Sequence, residues 1–388
     1  MTNGITRKTV KNGIAFTGRS WSYVLRIPDP STGRTKPKWV GGFDSEKSAK
    51  LARDKARVAL AGRNYSEPSK LTVGDFLEEW LVVHSTRIKP TTRYKYETVI
   101  RNHLMPRIGS LKLQALRPTH IERVYQELLT EPGVNGRVLS PNTVAYVGTI
   151  LKTALKYAVE VEGSLTSNPA TKIRPPKTST KSINPWTLSE LNTFLEEAKS
   201  HRLYFFYRLS AFTGARRGEL CALRWSDFDG KAITISKSRT QLEGASLEQN
   251  STKGGRNGQR RVPLDAVTIE QFNAHRKRQM VERIKLGEHW NESGYVFVQE
   301  SGLPLYPGTP SDLFKKILKK AGLRPTRLHD QRHLHATELL RLGEPLHVVA
   351  DRLGHRDAMV TATIYAHVSS EQAETASTRF AKASVEAM

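Results

Sequence analysis

Residues 328–333 read Leu-His-Asp-Gln-Arg-His, and Leu353-Gly354-His355 and Tyr365 follow within a short distance. A permanently charged guanidinium, several imidazoles and a phenol so close together can hold a phosphodiester and attack it. On a helix, His329 and Arg332 stand at i,i+3 and share one face. The same segment admits a second chemistry. His329 and His333 have the i,i+4 spacing of a helical metal pair, and Asp330 could add a ligand.

Two earlier pieces bear on the choice. In Thr213-Gly214-Ala215-Arg216-Arg217-Gly218-Glu219-Leu220, Gly214 permits a tight approach to a helix whose first turn carries guanidinium groups. The two neighbouring arginines need not do the same job. In Thr252-Lys253-Gly254-Gly255-Arg256-Asn257-Gly258, a glycine-rich turn carries a lysine near its start, and an ammonium so placed can swing in and donate a proton.

Composition limits what such a site can act on. The 388 residues carry 61 Lys+Arg against 37 Asp+Glu, a formal net charge of +24. That excess suits a polyanion, and nucleic acid is the leading partner. With 38% hydrophobic residues, the length allows packed cores in two or three domains. Cys221 is the one cysteine, which excludes an intramolecular disulfide and a thiolate metal cage within one chain. No apolar run is long enough to cross a bilayer and the N-terminus lacks a signal pattern, so a cytoplasmic protein without membrane partners is expected, bound to the nucleoid when on DNA.

The elements that must position these residues fall into regions. Residues 1–65 hold 14 Lys+Arg and 4 Asp+Glu, a balance of 14 − 4 = +10. Here Ser20 to Ile27 alternates as a strand does, Asp29-Pro30-Ser31-Thr32-Gly33 has turn chemistry, and Pro37 to Val40 returns. Ser45 to Ser48 opens a helix carrying Ala49, Ala52, Ala56, Ala59 and Leu60, which can cover one sheet face. The other face is expected to present Arg19, Arg26, Arg34 and Lys36 to DNA.

Residues 70–168 are helical in pattern, with apolar stripes at Phe76, Leu77, Trp80 and Leu81 and from Val144 to Leu155. Two helix starts look outward: Lys89, Thr91, Thr92 and Arg93 at one, and Ser140, Asn142 and Thr143 at the other. Hydroxyls and backbone N–H groups there suit phosphates, and Lys152 and Lys156 extend the charge. A basic, proline-containing linker spans 169–185. Residues 186–388 open on the cap Thr187-Leu188-Ser189-Glu190 and are mostly helical, broken by strands at Ala232–Ser236 and Arg260–Leu264 that flank the Lys253 turn.

In this order, the arginine motif, the turn lysine, His-x-x-Arg-His, Leu-Gly-His and Thr363-Ile364-Tyr365-Ala366-His367 resemble the catalytic domain of the tyrosine recombinases, the phage integrase family. The basic sheet-plus-helix and the helical middle region resemble the arm-binding and core-binding domains of integrases from temperate phages and integrative elements. The fold class implied is mainly α with small β-sheets in three domains: arm-binding at 1–65, core-binding at 70–168 and, after the linker, catalytic at 186–388.

The resemblance makes Tyr365 the nucleophile, giving a 3′-phosphotyrosyl link and a free 5′-hydroxyl, with no need of ATP, a metal or another cofactor. Arg216 and Arg332 would grip the non-bridging oxygens; Arg216 rather than Arg217 stands two positions after the glycine, where the family motif has its arginine. Lys253 would protonate the leaving oxygen, and His329 and His355 would bond the phosphate or assist proton transfer. A metal nuclease would leave Arg216, Lys253 and Tyr365 without a task. The implied activity is integration of a mobile genome at duplex attachment sites and, with a directionality factor, its excision. Four protomers would act on two duplexes, aided by a host DNA-bending protein. A resolvase or invertase of the same chemistry is the alternative, and a non-catalytic architectural DNA-binding protein a more distant one. The tail from Ser370 has helical spacing and is expected to pack on a neighbouring protomer.

Overall fold

A computed structural model describes residues 8–10, 13–28, 34–61, 69–133, 136–178, 186–242, 245–249, 259–355, 381, 384 and 385. Lys253, Tyr365 and nearly all of the tail lie outside the described residues. The chain divides into two compact units, Met1–Lys181 and Ser182–Met388. The described residues are mostly helical, with small antiparallel sheets.

In the first unit, β1 (Lys8–Val10), β2 (Ile14–Phe16), β3 (Trp21–Pro28) and β4 (Thr35–Phe43) form an antiparallel sheet in sequence order. Alternation along β3 puts Trp21, Tyr23, Leu25 and Ile27 on one face, where they pack with Ile14 and Val40 against Ala49, Ala52 and Ala56 of α1 (Glu46–Ala61). The start of α1 is capped by Ser45, whose Oγ accepts from the Ser48 N–H at 3.2 Å. Arg53, which was not among the residues expected to cover the sheet, is buried on this helix beside Asp54.

A separate core belongs to α2 (Val73–Ser85), α3 (Pro90–Val99), α4 (Met105–Ile108), α5 (Pro118–Thr130) and α6 (Pro141–Glu160). A reciprocal cap between Thr72 and Asp75 starts α2. Phe76, Leu77 and Trp80 then meet Val144, Val147, Ile150, Leu151 and Leu155 of α6. Between α3 and α4 the helix widens into a π turn over Ile100–Leu104. Pro106, just beyond, has no N–H to offer the regular ladder, which favours such a local adjustment. Ala170 is buried and Ile173 packs on this core, so the chain stays attached to it as the proline-rich segment begins.

In the second unit, α7 (Leu188–Ala198) begins at the expected cap, with Thr187 and Glu190 bonded reciprocally. The buried helix α8 (Tyr204–Thr213) packs against α7, the short α9 (Arg217–Ala222), α10 (Ala266–Leu286) and α12 (Asp330–Arg341). Phe194, Phe205, Phe206, Tyr207, Phe272, Phe297 and Phe314 fill the space between them, the last from α11 (Thr309–Lys320). Cys221 is fully buried here, and desolvation pushes its thiol up to about 12. It is a packing residue of this core.

The strands of this unit differ from the single hairpin expected. β5 (Ala232–Ile235) does pair with β8 (Arg260–Pro263), but a second hairpin of β6 (Ser238–Leu242) and β7 (Ala245–Gln249) stands between them in sequence. Polar residues on both faces of β6 and β7 hide them from a search for alternation. Helix α13 (Leu346–Leu353) closes the described fold, packing Val349 and Leu353 on Ala336 and Leu340 of α12.

Candidate active site

Three helix ends meet at the base of the site: the end of α8, the start of α12 and the end of α13. Helix α8 stops at Gly214, whose φ of 63° is the left-handed conformation that glycine adopts without cost. A β-carbon at Gly214 would come within 2.6 Å of Leu353 Cδ2 and 2.9 Å of His335 Cδ2. The missing side chain therefore lets α13 approach.

Arg332, 3% exposed on α12, spans the gap. Its Nη1 donates to the carbonyl oxygen of Gly214 and its Nη2 to that of Leu353, each at 2.7 Å. Both carbonyls lie at helix ends, where acceptors lack intrahelical partners and the dipole favours a cation. One guanidinium thus caps two helices and keeps its charge under the site.

Arg216 precedes α9 and is half-buried. Its backbone N–H donates to Glu219 Oε2 and its Nη1 to Glu219 Oε1, both at 2.8 Å. Burial pushes the Glu219 carboxyl up, but Arg260 and Arg216 outweigh it and hold the group below its usual range. Glu219 is therefore ionised and orients arginines. Arg217 points elsewhere, donating to Ser311 Oγ at 2.7 Å.

The histidines sense these cations. His355 follows Gly354 and is half-buried; desolvation, then Arg332, Arg216, Arg260 and His333, bring its pKa down to about 4. His329 keeps an open edge, yet enclosure of its inner side, with His333, Arg332 and Arg216, also lowers it to about 4. Both imidazoles are neutral at pH 7 and sit in one positive field with Arg216 and Arg332. That arrangement stabilises an anion and leaves uncharged hydrogen-bonding groups beside it.

His333 is buried, with its ring 5.4 Å from that of His329 and at right angles to it. Asp330 does not join them. It accepts from Thr326 and Arg327 in the turn that leads into α12. His335 turns away and accepts from Arg352 Nε at 3.1 Å.

Residues that spacing did not reveal include Arg260, whose Nε donates to the Arg352 carbonyl oxygen at the end of α13, and Arg352, whose own Nε donates to His335. Strand parity held a signal for the first. Arg260 shares a strand face with Val262, which is fully buried. A second cluster joins Glu248 of β7 to Lys237, Arg224 and Tyr295.

The candidate DNA contacts all belong to the first unit. Of the four residues expected on the open face of the sheet, the strand register supports Arg26, which stands opposite Pro37 and two positions from the Val24–Trp39 pair, on the face away from Leu25. Lys36 is a correction: it pairs with Ile27 and so belongs to the face that α1 covers, although it is exposed. Arg19 lies in the turn before β3 and Arg34 immediately before β4, both exposed. In the helical core, Lys89 precedes α3, whose first turn carries Thr91, Thr92 and Arg93. Ser140 caps α6, with its Oγ 2.9 Å from Thr143 Oγ1, and Asn142 is exposed beside them. Lys152 and Lys156 are exposed on α6, the second 3.7 Å from Glu160.

Family models match three stretches of the chain. Residues 181–372 match the phage integrase family, 72–129 the SAM-like N-terminal domain of phage integrases and 7–57 an arm DNA-binding domain. A tyrosine recombinase XerC-like protein of Caldanaerobacter subterraneus subsp. tengcongensis is 34% identical over 330 residues, covering 78% of this chain and 81% of its own. The chain belongs to the tyrosine recombinases of the phage integrase family. The recombinase is also 28% identical to the ICEBs1 integrase of Bacillus subtilis, over 88% of its own length and 90% of that protein.

Solved structures share its fold. The Tn1549 transposon integrase, in complex with transposon right end DNA, gives a TM-score of 0.66 at 20% identity, covering 80% of the recombinase and 99% of that chain. A lambda integrase tetramer bound to a Holliday junction gives 0.57 at 19% identity over 92% and 96%. Among the described residues of the recombinase, no helix is long and apolar enough to cross a membrane.

Proposed function

We propose that this recombinase integrates a mobile genome by cutting and rejoining duplex DNA at attachment sites, with Tyr365 as nucleophile. The Tyr365 phenol passes its proton to a neutral imidazole of the site, its oxygen attacks phosphorus, the bond to the 5′ oxygen breaks, and Lys253 delivers the proton that oxygen needs. The bond energy is kept in the phosphotyrosyl link until a second 5′-hydroxyl reverses the step.

The observation that carries this reading is the convergence of Arg216, Arg332, His329 and His355 where three helix ends meet. Arg216 and Arg332 place positive charge where a pentacoordinate phosphate gathers negative charge. His329 and His355, neutral at working pH, offer hydrogen bonds to its oxygens. The Asp330 carboxylate is occupied by Arg327, so it is not turned to a metal between His329 and His333.

The remaining assignments follow from the family. Residues 1–65 bind arm-type DNA through Arg19, Arg26 and Arg34; residues 70–168 hold the core site through the starts of α3 and α6 with Lys152 and Lys156; residues 169–185 link them to the catalytic domain at 186–388. Four protomers assemble on two duplexes, a directionality factor turns integration into excision, and a host protein bends the DNA. The compartment is the bacterial cytoplasm, where the substrate lies. The basic N-terminal domain favours this over a resolvase or invertase.

A duplex carrying an attachment site nicked next to the cleavage point tests the reading, because loss of the short fragment traps the intermediate. The wild type should form a covalent adduct and Tyr365→Phe none. An adduct that persists in Tyr365→Phe, or none from the wild type on its own attachment DNA, rejects it.

A further inference from the structure

Arg260 is a buried guanidinium outside the phosphate chemistry assigned to Arg216 and Arg332. Pairing of β8 with β5 sets it opposite Ile235, facing inward, and its side chain is only 6% exposed. From there Nη2 donates to Glu219 Oε2 at 2.8 Å, Nη1 to Glu219 Oε1 at 3.3 Å and Nε to the carbonyl oxygen of Arg352 at 2.7 Å. Two residues beyond Arg352 the chain turns at Gly354, with φ 67°, and presents His355. A β-carbon on Gly354 would stand 2.8 Å from Arg260 Nη1, so the turn rests directly on this guanidinium.

Stability alone is a weak explanation of this arrangement. Desolvating a charge pair offsets most of its attraction, and apolar residues of similar volume pack at least as well. An apolar pair cannot, however, set direction or neutralise Glu219. That carboxylate is wholly buried and lies against both Arg216 and Arg260. With Arg260 removed, it would lean on Arg216 and draw that guanidinium inward.

We propose that Arg260 is a positioning residue of the active site. By neutralising Glu219 it leaves the charge of Arg216 for the scissile phosphate, and by holding the Arg352 carbonyl it fixes the turn that carries His355. The inference rests on Arg216 and His355 being phosphate-binding groups.

The test compares full-length wild type, Arg260→Gln, Arg260→Lys and Arg216→Ala on two nicked duplexes, one with an ordinary scissile phosphodiester and one with a methylphosphonate there. The bonds made and broken are the same, but the methylphosphonate is uncharged and depends less on a guanidinium. Adduct formation by Arg260→Gln should be about 100-fold slower than wild type on the phosphodiester, the scale of a misplaced catalytic group, and within about tenfold on the methylphosphonate. Arg260→Lys, which keeps a cation but loses the fork, should fall between, with DNA affinity unchanged in both.

An equal deficit on both substrates is what a packing defect would produce and overturns the proposal, as does wild-type speed on both. Arg216→Ala reports separately on the underlying reading. If its deficit is the same on the neutral substrate, Arg216 is not a phosphate ligand, whatever Arg260 does.

Discussion

Arg332 and Gly214 are 118 positions apart in sequence, and the Nη1 of the first donates to the carbonyl oxygen of the second at 2.7 Å. The same guanidinium reaches Leu353, so a residue assigned to phosphate binding also holds the fold of its own site. Its substitution should therefore register twice.

Replacing Arg332 with alanine leaves two buried carbonyls without this donor and should lower stability by about 2–5 kcal/mol. Urea unfolding of the purified protein measures the loss. Adduct formation should fall below detection even under conditions where the variant is still folded. A variant as stable as wild type would show that these bonds are dispensable.

Gly214→Ala should also be costly. The left-handed φ and the approach of Leu353 and His335 together predict a loss of about 2 kcal/mol or more. Because the strain falls where α8 meets α13, adduct formation should slow as well. Comparison of melting temperature and cleavage rate decides this, and an unchanged melting temperature would contradict it.

Acid should destabilise the recombinase through its histidines. His329 and His355 have folded pKa values near 4 against an ordinary 6.5, so unfolding takes up protons between those limits. The unfolded state then binds more protons, and stability falls as pH drops through 6.5 toward 4. Urea midpoints across that range should decline, and less steeply in His355→Gln. A midpoint that rises as pH falls would reverse the sign.

Lys152 is exposed on α6 and its carbonyl is held by Asn168 Nδ2 at 2.9 Å, which keeps this part of the helix in place. If it meets a phosphate, Lys152→Ala should weaken DNA binding similarly for all sequences and reduce the slope of log affinity against log salt by about 1. Titrations at several salt concentrations would show this, and an unaltered slope would remove Lys152 from the contact surface.

Local signals were the readable part of this fold. Thr187 and Glu190 cap α7 across three residues, and Trp21 to Ile27 alternates as the sheet requires. The motifs of the candidate site were visible because each is short and contiguous. What joins them is not: Arg332 to Gly214, Arg260 to Glu219 and Arg352 to His335 are pairings across distant elements, and spacing holds no record of them. The β6 and β7 hairpin escaped because residues such as Arg239 and Glu248 serve a polar cluster rather than an apolar face. Lys36 was misplaced because face assignment depends on register, and one residue of shift exchanges the faces.

Cys221 offers an experimental opening. The chain has a single thiol, and it is fully buried with its ionisation suppressed to about 12, so it should resist alkylation in the folded protein. A cysteine introduced at an exposed site would then be the one reactive handle per protomer. Dyes or cross-linkers placed there could follow subunit association and strand exchange in real time without first rebuilding the core to remove a background signal.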